Sequence, residues 1–399
     1  MKPQSRKPLS GILFWSVISA AFIGPGTVTT AAKAGAEFGT SLIWALTFST
    51  IATIFLQEAA ARVSIASGKN LGEAIALKFQ QHATRWIRYF VGISVIFGCA
   101  AYQAGNILGA VSGTSLLFGG NPKIPTLLIG FICGAVLWAG KPETISRLLG
   151  VVVAAMGLVF IAVAIRSGIP AGKWITGAVV PTFPQGSGLL TIGLIGTTIV
   201  PYNLFLGSGI GKEQEIHAMR KGLIPAVMIG GAISIAILIA GTRLSDAFSF
   251  EALGEMLRRE TGSWASIFFG IGLFAAGFTS AVTAPLASAI TAQSLFGSGN
   301  PHWAPGSRNY RIVWIFVWAT GMLFGLSGIK PIPAIILAQA LNGLLLPFIA
   351  IFLLLVVNDA RFMPEKSRNK LPANLVLTLI VAITLLLGAM NLWRAIQSV

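Results

Sequence analysis

Two short stretches carry most of the polar chemistry that this chain places inside apolar sequence. The first is Gly24-Pro25-Gly26-Thr27, which interrupts an apolar run from Gly11 to about Lys33. The second is residues 195–211, IGTTIVPYNLFLGSGIG, where Pro201, Tyr202 and Asn203 fall in the middle of a run from about Leu189 to Ile210. A proline inside a helix removes a backbone donor and clashes with the carbonyl four residues back, so each run must open there. The opened backbone exposes carbonyls and amides beside Thr27 and Asn203. That is the chemistry of a site that holds an ion or a small polar solute through neutral oxygens and nitrogens.

The elements that must position these groups follow from composition. The chain has 399 residues, of which 55% are hydrophobic and only 10% charged, with a mean hydropathy of +0.81. Soluble domains carry about 25% charge, so the solvent of this chain is the lipid bilayer. The net charge of +16 does not imply a nucleic-acid partner, because the basic residues sit in short loops between apolar runs rather than along one face or tail. Cys99 and Cys133 both lie in apolar runs and read as small buried hydrophobes, not a disulfide or a metal pair. The N-terminal MKPQSRKP before an apolar run looks like a signal peptide. The run is too long for one, however, and cleavage would destroy the Gly24–Thr27 break.

A spanning helix needs about 20 apolar residues. On that measure eleven are expected, near 11–33, 40–62, 86–110, 123–140, 147–167, 188–211, 222–243, 264–296, 310–328, 332–357 and 372–393. With the N-terminus in the cytoplasm, nineteen of the 28 basic residues fall on the cytoplasmic side, as the positive-inside rule requires. The external loop 244–262 holds Asp246, Glu251, Glu255 and Glu260 and reads as a short amphipathic surface helix. The whole chain, 1–399, is one transmembrane domain. Spans one to five (about 11–167) and six to ten (about 188–357) make two five-helix sets, each opening with its interrupted helix. The span at about 372–393 is an addition. An odd number of helices per set inverts the second against the first, and matched broken helices in such repeats mark a transporter's binding site.

At this point the residues resemble a known family. GPGTVTTAAKAGAEFG (24–39), LQEAAARVSIASGKNLGEA (56–74), VPYNLFLGS (200–208), LFAAGFTSAVTAPLA (273–287) and AQALNGLLLPF (338–348) occur in the order and spacing of motifs in the NRAMP family. That family consists of proton-coupled divalent metal transporters with a LeuT-type fold. The resemblance implies an all-α membrane protein, a 5+5 inverted repeat with broken helices one and six, and metal ion transport across a bacterial inner membrane.

The departures fall on the chemistry. Where the family motifs carry a metal-binding Asp and Asn, this chain has Gly24 and Thr27; where they carry Met and His, it has Val200 and Tyr202. Asn203 and Gln339 remain, while Gly207 replaces a later His. In YQAGNILG (102–109), Gln103 and Asn106 stand in place of two acids of the family's proton route, and the paired arginines of the ninth helix reduce to Arg311 after Tyr310. His82, His217 and His302 are all expected in cytoplasmic loops. Glu58 is the one acid well inside an apolar run, best read as a structural partner of Arg62.

Transition metals favour imidazole, thiolate, thioether or carboxylate ligands, so Mn²⁺ or Fe²⁺ is not the expected substrate. Several readings stay open. A hydrated cation such as Mg²⁺ fits neutral ligands, since magnesium usually keeps waters. An organic solute would place a carboxylate on the amides of Gly26, Thr27 and Val28 at a half-helix N-terminus, with Tyr202, Asn203, Gln339 and Asn342 orienting its body. A paralogue that binds or senses without transporting is the third. For each side chain the plainer alternative is structural: Thr27 and Asn203 as helix caps, Gln339 and Asn342 as interhelical hydrogen bonds. No cofactor motif is present, and an enzyme is not expected. There is no intramembrane carboxylate pair and no HExxH, and GSGIGK (207–212) lacks P-loop spacing.

Overall fold

The computed structural model describes residues 23–140, 143–210, 215–297 and 299–397, and every regular element among them is helical. In chain order these are α1 (Pro25–Phe38), α2 (Ile43–Ser67), α3 (Leu71–Lys78), α4 (Arg85–Phe118), α5 (Lys123–Ala139), α6 (Glu143–Ile165), α7 (Ala171–Val179), α8 (Gly188–Thr198), α9 (Pro201–Ile210), α10 (Ile216–Gly241), α11 (Phe250–Thr261), α12 (Trp264–Phe296), α13 (Arg308–Leu326), α14 (Pro331–Val357) and α15 (Leu371–Gln397).

Nine stretches among the described residues are long and apolar enough to cross a membrane, and α5 is a shorter apolar helix of 17 residues. These ten correspond to expected spans two to eleven. Of the first, only the part from α1 onward is described, and the segment before the break at Gly24 lies outside the described residues. Several boundaries differ from expectation, among them the end of α2 at Ser67 rather than near 62. The helix expected over 86–110 runs on to Phe118, because the chain stays apolar until the Gly119-Gly120 pair ends it in positive-φ conformations. His217, expected in a loop, sits in the first turn of α10. The surface helix expected within 244–262 is α11, whose N-cap Ser249 accepts from the Ala252 amide. It buries Phe250, Leu253, Met256 and Leu257 and exposes its charges.

Lipid supplies no hydrophobic drive between helices, so close backbone approach through small residues must hold them together. Three crossings show this. A Cβ on Gly113 or Gly277 would strike the backbone of the facing helix where α4 runs along α12. At the α1–α10 crossing, Gly35 faces the Leu238 carbonyl and Gly241 the Ala32 carbonyl. Where α8 crosses α14, Gly196 faces the Gln339 carbonyl and Gly343 the Ile192 carbonyl. α1 therefore lies on α10, and the second interrupted helix (α8 with α9) on α2 and α14.

One rim of the bundle collects ion pairs. Glu58 near the end of α2 contacts Arg62 at 3.0 Å and Arg220 of α10 at 2.6 Å. Arg62 also donates to the Ser367 carbonyl and to Asn369 Oδ1, tying the α14–α15 connection to α2. Asp359, just past α14, pairs with Lys78 of α3 at 2.6 Å and with Arg361 at 2.7 Å. This rim is called the basic face below.

Candidate functional site

The two interruptions meet in the middle of the bundle. At the first, Ile23 and Gly24 are non-helical and Gly24 is extended (φ −88°, ψ 178°) before Pro25 opens α1. Proline suits the first turn because its missing N–H would have no helical partner there. At the second, α8 ends at Thr198, Ile199 and Val200 are irregular, and Pro201 opens α9. The proline chemistry that opens the backbone also restarts the helix.

A break at this depth leaves backbone groups that need partners, and side chains of neighbouring helices supply them. The Tyr102 hydroxyl of α4 donates to the Gly196 carbonyl at 3.1 Å. Thr53 of α2 reaches the Thr198 carbonyl at 3.4 Å. The Asn203 amide donates to the Val200 carbonyl at 3.0 Å, and that of Val28 to the Gly24 carbonyl at 3.2 Å. Within α1, Thr29 and Thr30 return their hydroxyls to the carbonyls of Pro25 and Gly26 at 2.7 Å.

The breaks are also bonded to each other. Thr27 Oγ1 and Thr197 Oγ1 lie 2.8 Å apart, joining residues separated by 170 positions in the chain. Gln339 of α14 sits where both half-helices converge. Its amide fills the place a side chain on Gly26 would take, and its backbone carbonyl lies against Gly196. Among the described residues, Gln339 Oε1 and Asn203 Nδ2 are buried without a hydrogen-bond partner. Tyr202, only 1% exposed, closes one wall with its ring edge-on to Tyr102 at 5.8 Å. A Cβ on Gly24 would stand 3.4 Å from Ser280 Oγ of α12, an ordinary contact.

The candidates from sequence divide into four groups. Gly24, Gly26, Thr27, Val200, Tyr202, Asn203 and Gln339 all lie at or beside the breaks, and all are buried. Asn342 turns the other way, donating to the carbonyls of Gly98 at 3.3 Å and Ala338 at 3.0 Å, as an interhelical bond does. Gln103 faces α12 and α13, whereas Asn106 lies on α4 between Tyr102 and Gly109, the latter packed against Pro25. Gln103 donates to the Ala281 carbonyl of α12 at 2.9 Å and lies against Gly321 of α13. Gln103 Oε1 and Asn106 Nδ2 stay unpartnered among the described residues. Gly207 is buried in α9 one residue before Ser208, whose hydroxyl accepts from the Leu71 amide at the start of α3. The expected free amide of Val28 is corrected, since it closes the first turn of α1 onto Gly24.

Sequence reasoning did not assign Tyr102, Thr197 or Ser280. The signal for Thr197 was its position just before the Pro201 break, and Tyr102 and Ser280 lie inside motifs already singled out. Glu58 pairs with Arg62 as expected and, in addition, with Arg220. Among the described residues, no three His, Cys, Asp or Glu side chains are grouped to hold a metal.

With this geometry in hand, comparison with known proteins is informative. Residues 16–394 match the family model described as natural resistance-associated macrophage protein-like, Nramp. A divalent metal cation transporter MntH of Caldanaerobacter subterraneus is 24% identical, over 96% of this chain and 92% of its own length. The MntH of Mesorhizobium japonicum is 27% identical over 87% and 80%. Among solved structures, the Eremococcus coleocola manganese transporter superposes with a TM-score of 0.75 at 18% identity, covering 98% of this chain and 88% of that one. Mhp1, a nucleobase-cation-symport-1 transporter in a closed conformation, gives 0.59 at 16% identity over 97% and 93%. These likenesses give the fold, the LeuT-type arrangement with interrupted helices at its centre. The family match spans nearly the whole sequence, and this chain is a member of the Nramp family.

Proposed function

We propose that the chain is a secondary transporter whose central site holds its ligand through neutral hydroxyls, amides and carbonyls. Its preferred ligand is a cation that keeps its water shell, such as Mg²⁺, and not Mn²⁺ or Fe²⁺. One observation carries this reading. The side chains at the two breaks are Thr27, Thr197, Tyr202, Asn203 and Gln339, and no acid, imidazole or thioether stands among them. The relatives named above are described as carriers of divalent metal or manganese, and such ions bind through imidazole, carboxylate or soft sulfur ligands. A bare divalent ion among neutral groups would not recover its hydration energy. A hydrated one presents water hydrogens, for which the unpartnered Gln339 Oε1 is a ready acceptor.

A small polar solute is the second reading, favoured by the unpartnered Asn203 Nδ2 donor, which suits an acceptor atom better than a cation. An organic carboxylate on α1 has less support, because the Val28 amide is engaged and Gln339 lies over Gly26. Gln103, Asn106 and Gly207 do not titrate near neutral pH, so transport is not driven by protons along that route. The basic face is assigned to the cytoplasm of a bacterial inner membrane. Helices up to α6 form one five-helix repeat, and α8 to α14 the other.

Calorimetric titration of the purified protein with Mn²⁺ and Mg²⁺ into the millimolar range tests the proposal. Heat from Mg²⁺ without Mn²⁺ saturation is the expected result; saturable Mn²⁺ binding at micromolar levels overturns it. Gly24→Asp, whose Cβ would meet Ser280 at an ordinary contact distance, should add affinity for both ions by placing a carboxylate at the break. Silence from both ions in the native protein and in the variant would move the search to polar solutes.

A further inference from the structure

A polar cleft lies on the basic face, away from the breaks. It has a volume of about 420 Å³ and opens between the α2–α3 turn, α3, the first turn of α4 and the end of α12. Its polar lining comprises Lys69, Glu73, Gln80, Arg88 and Ser294. Four basic side chains elsewhere on this rim have acidic partners: Arg62 and Arg220 share Glu58, and Lys78 and Arg361 share Asp359. The two in the cleft do not. Among the described residues Lys69 makes no ion pair, and the polar and ring contacts of Arg88 go to Tyr89, its hydroxyl at 3.1 Å and its ring at 5.0 Å. Arg88 Nε is buried with no partner.

The acid in the cleft is held in another role. Glu73 Oε2 accepts from the Asn70 amide at 2.8 Å while Asn70 Oδ1 accepts from the Glu73 amide, a capping box that starts α3. Two cations without an acid partner, one with an orphaned buried donor, therefore face a cavity large enough for more than a bare oxyanion. Guanidinium and ammonium groups so placed suit phosphate oxygens.

The surroundings indicate depth in the membrane. Tyr89 stacks on Phe296 at 5.4 Å, and Trp86 and Phe90 are exposed on the same turn of α4. Aromatic rings at a helix end mark the headgroup level of a bilayer, where basic pockets between helices meet anionic headgroups. We infer that this cleft is a binding site for a phosphate-bearing anion, held by Lys69 and Arg88, with an anionic phospholipid headgroup as its source.

Native mass spectrometry of the full chain tests this, with phosphatidylglycerol, phosphatidylcholine and inorganic phosphate as probes. Phosphatidylglycerol should be retained at least tenfold better than phosphatidylcholine, and the advantage should vanish in the double variant Lys69→Gln with Arg88→Gln. Lys69→Arg should keep it. Both positions are on the rim and only partly buried, and an unchanged melting temperature certifies the double variant. If inorganic phosphate at millimolar levels displaces the lipid and binds alone through the same two residues, the anion site stands and its source is soluble phosphate. Equal retention of the two lipids, or undiminished preference in a folded double variant, overturns the inference. The central site is untouched by either change, so a failure here leaves the transport reading as it was.

Discussion

At the breaks Thr27 meets Thr197 and Tyr102 meets the Gly196 carbonyl, whereas on the basic face Glu58 lies between Arg62 and Arg220, and Asp359 between Lys78 and Arg361. Both regions join helices distant in sequence, but by different means. In the middle of the bundle a charge is expensive, so exposed backbone is satisfied by hydroxyls and an amide, and glycines let the helices approach. At the rim water can reach the groups, and full charges do the joining. Among the described residues, then, the helices of this chain meet at the breaks through neutral groups and at the rim through charged ones.

The comparison can be broken most forcefully at Arg62. It is 8% exposed beside a Glu58 that is 15% exposed, and it holds Ser367 and Asn369 as well. Arg62→Ala should lower stability by about 3 kcal/mol, as expected when one member of a largely buried pair is removed, read as a fall in melting temperature in detergent. At the centre the corresponding lesion is steric. Gly196→Ala drives a methyl into the Gln339 backbone carbonyl and should destabilise by roughly 2 kcal/mol. Gly26→Ala meets the movable end of Gln339 instead and should cost less, measured the same way.

Acidity sharpens the contrast. The Asp359 carboxyl is held below the usual carboxylate range, first by its hydrogen bonds from Arg361 and then by Lys78. A depressed folded-state value contributes stability above the unfolded value of about 4 and loses it as pH falls through the folded one. Asp359→Asn should therefore destabilise by roughly 1.5 kcal/mol at pH 7, and the gap from the native protein should shrink below about pH 4. Glu255 on α11, brought to about 2 chiefly by Arg258 and then Arg259, follows the same sign at an exposed site. The cost of Gly196→Ala should stay constant over that range, since no acid lies at the breaks. The smallest effect belongs to Thr27→Val, which removes the hydroxyl bond to Thr197 for about 1 kcal/mol. A double variant with Thr197→Val, compared with the two singles, isolates that bond.

Much of this was legible in the chain itself. The spans, the prolines that open two of them, the lack of acids at the breaks and the Glu58–Arg62 pair are local facts of hydropathy, backbone geometry and four-residue spacing. The expected site was legible in part. Gln339 sits at the breaks, but Asn342, three residues on, faces Gly98 instead. Three residues advance a helix by about 300°, enough to place the two amides on different neighbours, and sequence does not say which neighbour stands where.

Sequence by itself thus determined that this is a membrane protein of Nramp type with two opened helices and no charged group at either opening. Tertiary structure decided which groups meet there: Thr27 with Thr197, Tyr102 with the Gly196 carbonyl, and Gln339 with Gly26. It also decided that Lys69 and Arg88 share a cleft. The physical reason is range. Helix formation and breaking depend on residues within a turn or two, while these contacts depend on how close glycine crossings set the helices against one another.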